Sequence, residues 1–118
     1  MTLPPFLLID SKQMWRAIED QETGETHFSR MDGWKVVLIH TKTFAHTTIS
    51  ASRTKSGVCY TVKGPPKTMV RRGSWNPQDH VTKQHVLKFS GTEQFRNHVR
   101  QRYEPELASQ ILTELGVT

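Results

Sequence analysis

The sequence predicts an α+β domain: an antiparallel sheet over about residues 26–89, a helix pair over about 92–103 and 105–115 packed on one face, and a short helix near the start. Three observations carry this. The middle of the chain is rich in β-branched and alternating residues. The last quarter repeats apolar residues at helical spacing. The 118 residues, 35% of them apolar, fit one domain, 1–118, with one core and a wet surface.

The elements follow in order. Phe6-Leu7-Leu8-Ile9 reads as a short buried strand or a hydrophobic lead-in, after which Asp10 and Gln13 have the spacing of a capping box. Met14, Ala17 and Ile18 follow at helical spacing and Gly24 is a stop, which predicts a helix over about 11–22. The rival reading is a hairpin: a strand over Trp15–Glu19 returning through the acidic Glu22–Glu25 turn into Thr26–Met31. Asp32-Gly33 is the strongest hairpin-turn signal. Trp34–His40 is a continuous β-branched run of the kind found in central strands. Thr41–Arg53 alternates weakly, and Gly57 opens a further strand to Lys63. Residues 64–79, with Gly64-Pro65-Pro66, Gly73-Ser74 and Asn76-Pro77, read as a loop.

His80–Phe89 reads as the last strand. Ser90 and Glu93 match a capping box, and Phe95, Val99 and Tyr103 recur on one helical face. Pro105 starts a second helix, whose stripe of Leu107, Ile111, Leu112 and Leu115 ends at Gly116.

Charge is segregated along the chain. Residues 1–33 carry three Lys or Arg against six acids, net −3. Residues 34–91 carry ten Lys or Arg against Asp79 alone, net +9, and residues 92–118 are net −1. With a pI near 9.7 and mean hydropathy of −0.58, the central block is suited to polyanions. The expected function is a small basic nucleic-acid-binding protein that contacts backbone phosphates through Arg53, Lys55, Lys63, Lys67, Arg71 and Arg72, with Trp75 and Tyr60 able to stack on unpaired bases. No zinc-finger spacing, RNP pattern or GXXG loop selects DNA over RNA or a base sequence, and nothing sets an oligomeric state.

Two other classes fit the residues. One is a protein-interaction module, an inhibitor, adaptor or phage- or plasmid-type accessory protein, docking on an acidic partner surface through the same cations and Trp34 or Trp75. The other is a small ribonuclease using His80 and His85 around Lys83, or His40 and His46 brought together by a turn near Thr43. No catalytic or cofactor fingerprint is present, so the chain reads as non-enzymatic and without a cofactor. His80 and His85 lack the helical i, i+4 spacing of a zinc pair, and the single Cys59 has no CxxC partner, so no metal is expected. Cys59 reads as a small strand residue, and Arg71-Arg72-Gly73-Ser74 resembles a short basophilic kinase site. The chain reads as soluble and cytoplasmic, or nuclear in a eukaryote, with no membrane association.

Overall fold

The computed structural model describes residues 4–70 and 80–117, with the side chains of 66–70 and 80–83 excepted. Five strands form an antiparallel meander in the order β1-β2-β3-β4-β5: β1 (Phe6–Glu19), β2 (Thr26–His40), β3 (His46–Thr54), β4 (Gly57–Val70) and β5 (His80–Phe89). Helices α1 (Thr92–Arg102) and α2 (Pro105–Glu114) follow. The expected α+β architecture and helix pair are therefore present.

Register decides what each face carries. Val36, Ile49 and Val62 pair across three strands, as do Trp34, Ala51 and Tyr60. These rows continue into β5 through Val62 opposite Leu87 and Tyr60 opposite Phe89. Alternation puts all of them on one face, and that face meets the helices in a single core. From the helices come Phe95, Val99, Tyr103, Ala108, Ile111, Leu112 and Leu115. Phe95 stacks on Tyr60 with ring centroids 4.4 Å apart, and the Tyr60 hydroxyl lies 2.9 Å from Thr92 Oγ1. The α1 start is thus pinned to β4 by both packing and a hydrogen bond. The indole N–H of Trp34 donates to Ser11 Oγ (2.6 Å), and Ser11 donates to Glu114 (2.8 Å), which ties β2 through β1 to α2.

Four sequence expectations give way. The N-terminal helix over 11–22 is instead β1, and the hairpin alternative holds, with a turn closed by Asp20 N–H to the Glu25 carbonyl (2.8 Å) and Gly24 at φ 71°. Helical spacing lost because Ser11–Gln13 pair with Val36–Trp34 and Trp15–Glu19 pair with Arg30–Thr26 on β2, so the backbone of this segment is satisfied across the strands. Asp32-Gly33 is not a turn but lies inside β2, where the register slips between Gln13 and Trp15. There the Gln13 amide donates to the carbonyls of Met31 and Gly33 and satisfies the irregular backbone. Gly64-Pro65-Pro66 does not end a strand: β4 runs through it with a bulge between Lys63 and Pro66. A bulge is where a strand tolerates a residue without an N–H. The remainder of the expected loop, 71–79, lies outside the described residues. Finally, the Ser90–Glu93 capping box does not form, since Gly91 is the N-cap and no side chain caps it.

The second helix stops as its sequence implies. Gly116 has φ 71°, its N–H reaches the Thr113 carbonyl (3.1 Å), and the Val117 N–H reaches that of Leu112 (2.8 Å). This is a Schellman motif, and Val117 is buried beside it.

Gly33 and Gly64 make a measurable contrast. A Cβ on Gly33 would lie 2.9 Å from the Ala51 carbonyl oxygen and 3.1 Å from Met14 Sδ, whereas at Gly64 the nearest atom is 3.6 Å away. Gly33→Ala is expected to lower unfolding free energy by about 1–3 kcal/mol in urea titration, and Gly64→Ala to change it by no more than about 0.5 kcal/mol. Equal losses would contradict this geometry.

Candidate nucleic-acid interface

The two helices cover one face of the sheet, and no described element covers the other. The residues alternating with the core rows therefore define the open face. Across the strands, Lys12, Lys35, Ser50, Thr61 and Lys88 form one row. The next contains Asp10, Val37, Thr48, Lys63 and Val86. Beyond the first row lie Ser52 and Cys59, paired with each other. The open face thus joins lysines to small hydroxyl side chains, with Val37 and the exposed Val86 among them.

Its electrostatics are uneven. Lys12 and Lys35 are directly opposed, a repulsive cross-strand pair. Asp10 relieves it: its carboxylate is 3.1 Å from Lys12 Nζ. The hydrogen bond from Lys12 is the main cause that holds the Asp10 carboxyl below its usual range, with the charge of Lys35 contributing in the same direction. Among the described residues no carboxylate lies within ion-pair distance of Lys35, Lys63 or Lys88. Lys63 and Lys88 sit diagonally on neighbouring strands, about 7–8 Å apart at the backbone. Both are exposed, while the long Lys35 side chain lies half-buried along the sheet.

The sequence-predicted cations are distributed over different parts of the fold. Lys63 belongs to the open face. Arg53 pairs with Val58 at the opposite end of the β3–β4 hairpin, on the helix-bearing side, with its guanidinium 4.0 Å from Asp32. Lys55 lies in the β3–β4 turn, and Lys67 lies beyond the β4 bulge opposite Lys83, its side chain outside the described set. The turn and Lys67 are separated by most of β4, roughly 30 Å at the usual rise per residue. Arg71, Arg72, Ser74 and Trp75 lie outside the described residues. Tyr60 is a core residue, stacked on Phe95, and its ring is not available to a base.

Sequence reasoning missed Lys35 and Lys88 as members of a site. Their signal was present as alternation: each stands one residue from a core position, Val36 or Leu87 and Phe89. It also missed Phe44. This side chain is 72% exposed in the β2–β3 turn and has φ 59°, a backbone region costly for an aromatic residue. A turn does form here, although Lys42-Thr43-Phe44 lacks turn residues, because His40 supplies what they would. Its Nδ1 accepts from the backbone N–H groups of Lys42 and Thr43, both at 3.2 Å.

That turn does not create a histidine pair. His46 is opposite Ile39, so His40 and His46 project to opposite faces. His40 packs edge-on against Phe6 (5.1 Å). The His80 side chain lies outside the described set, while His85 lines a cavity beneath α1. Cys59 is half-buried on the open face, and the described residues hold no cluster of three or more potential metal ligands. No described helix is long and apolar enough to cross a membrane. Neither protein-family models, curated proteins nor solved structures give a match to this chain.

The divergent histidines have separable roles. His40→Ala should cost about 1 kcal/mol of stability through its lost turn hydrogen bonds, and His46→Ala should stay within about 0.5 kcal/mol of the parent in chemical denaturation. Incubation with bulk RNA should show no cleavage that either substitution abolishes.

Proposed function

We propose that the protein binds nucleic acid through the open face of its sheet, contacting backbone phosphates and not base edges. The observation that carries this reading is the coincidence of Lys35, Lys63 and Lys88 with Thr48, Ser52 and Thr61 on a face that no described helix covers. Lysines neutralise phosphates and release counterions, and hydroxyls donate to phosphate oxygens. A face of this composition has no base-specific readout, so affinity should be largely independent of sequence and sensitive to salt. Phe44, exposed where the β2–β3 turn ends the sheet, can add a stacking contact to an unpaired base.

A second reading, a protein-interaction module, is favoured by one feature. The β1–β2 hairpin extends past the rest of the sheet: Trp15–Glu19 and Thr26–Arg30 pair only with each other, whereas β3 begins its pairing with β2 at Gly33. On this arm Trp15 is 57% and Phe28 70% exposed, and register places them diagonally on one face. Exposed aromatics are the usual anchors of protein interfaces. Stoichiometric capture of a defined protein, lost in a Trp15→Ser/Phe28→Ser variant, would favour this reading.

The nucleic-acid reading is tested by fluorescence anisotropy with short single- and double-stranded DNA and RNA across a salt series. Binding should weaken linearly in log–log form with salt, and Lys63→Ala and Lys88→Ala should each reduce the slope by about 1. Arg53→Ala, remote from this face, should change it less. No binding at low salt, or equal effects of all three substitutions, would overturn the proposed face.

A further inference from the structure

The helix-covered side of the sheet contains a cavity of about 760 Å³ that the proposed nucleic-acid face does not use. It lies between α1 and the lower ends of the strands. Phe6, Val62 and Leu87 give it an apolar lining. His85 enters from β5, and His98, Arg102 and Tyr103 from the last part of α1 and the residue that ends it. This volume is in the range of small-molecule sites, and an apolar cleft with a few polar groups at its margin, here the exposed His85 and Arg102, is a common composition for them.

The polar groups agree in sign. Among the described residues, no carboxylate lines the cavity. Desolvation, with the nearby Arg102 charge, lowers the His98 pKa from its ordinary value. That imidazole is therefore neutral near pH 7 and offers one N–H. Burial raises the Tyr103 pKa, so its hydroxyl remains a donor. Arg102 is the permanent cation. The C-terminal end of α1 opposes it with a partial charge of about −0.5, but the full charge of Arg102 outweighs this. Gln84 does not compete for a ligand freely, since its amide donates to the Gly64 carbonyl (2.8 Å) at the β4 bulge.

The rings define the body of the ligand. Phe6 meets Tyr103 edge to face (5.2 Å), and His98 lies against Phe89 (5.1 Å). The cavity is thus bordered by rings already held by other rings. We infer that it binds a planar aromatic ring carrying a single anionic group, the ring resting among Phe6, Leu87 and the imidazoles and the anion meeting Arg102, Tyr103 and His98. A mononucleotide and a free aromatic carboxylic acid share this chemistry.

Isothermal titration calorimetry distinguishes the sources and tests the site. Adenosine 5′-monophosphate and indole-3-carboxylate are the anionic probes, and adenosine and indole their uncharged counterparts. At least one anionic probe should bind with Kd below about 1 mM, and at least about 10-fold more tightly than its uncharged counterpart. Binding of only one anion identifies the source. Arg102→Gln, at an exposed side chain, and His98→Gln should each weaken binding by about 10-fold. Each variant's fold is checked by its circular-dichroism melt. Lys63→Ala/Lys88→Ala should leave probe affinity unchanged, which separates this site from the open face. Failure of both anions to bind, equal binding of the uncharged probes, or affinity unaffected by Arg102→Gln would overturn the inference.

Discussion

The structure depends on the contact between Phe95 and Tyr60. A five-stranded sheet has two faces, and the described residues supply one pair of amphipathic helices to cover them. Phe95 is fully buried, stacked on Tyr60 in β4 and near Phe89 in β5, so the first turn of α1 settles which face receives the helices. Val99 and Tyr103 follow along the same side of α1, and Ala108, Ile111 and Leu112 complete the cover from α2. Burying a large aromatic side chain contributes about 1.5–3 kcal/mol by area alone, enough for this choice to dominate over the shorter-range preferences of the connecting residues. Once it is made, every second residue of β2, β3 and β4 turns away from apolar cover.

That constraint explains why the open face can be polar at its centre. Ser50 is only 8% exposed although no helix lies over it. Its neighbours in the row are Lys35 and Thr61. A long lysine stem can cover small residues while its ammonium stays in water. The cost of the arrangement is repulsion between Lys12 and Lys35, which Asp10 offsets. The side towards β4 and β5 has no such acid among the described residues, and there the positive potential is least compensated.

Much of the fold was legible in the sequence, but for separable reasons. The helix pair could be read because Phe95, Val99 and Tyr103, then Leu107, Ile111 and Leu112, repeat with the helical period, and Pro105 and Gly116 mark its boundaries. The strand Trp34–His40 could be read from its β-branched content. The N-terminal strand was legible only in part, as a short buried strand at Phe6–Ile9 and the rival hairpin, because Met14, Ala17 and Ile18 fit a helical face as well as an irregular strand. The register slip at Gln13–Trp15 breaks the alternation that would have distinguished them. Asp32-Gly33 misled for the same reason: glycine was needed there for close approach to Ala51, not for a turn. Gly64-Pro65-Pro66 misled because a bulge and a loop place similar demands on composition.

The candidate site was legible only as a charge total. A net +9 block is contiguous in the sequence, but a meander divides contiguous residues between two faces and two ends. Arg53 and Lys63 are ten positions apart and point to different sides of the sheet, while Lys35 and Lys88, far apart in sequence, stand in one cross-strand row. Charge density along a chain therefore identifies a surface only after the period of two has been applied to it. Applied here, it separates Lys35, Lys63 and Lys88 from Arg53, which lies near Asp32. The same alternation places His85 beneath α1 and keeps it apart from the lysines one residue either side of the core rows. One short meander thus presents a cationic hydroxyl-bearing surface on one side and a half-open, donor-lined cleft on the other, and the chemistry open to each follows from which way its residues turn.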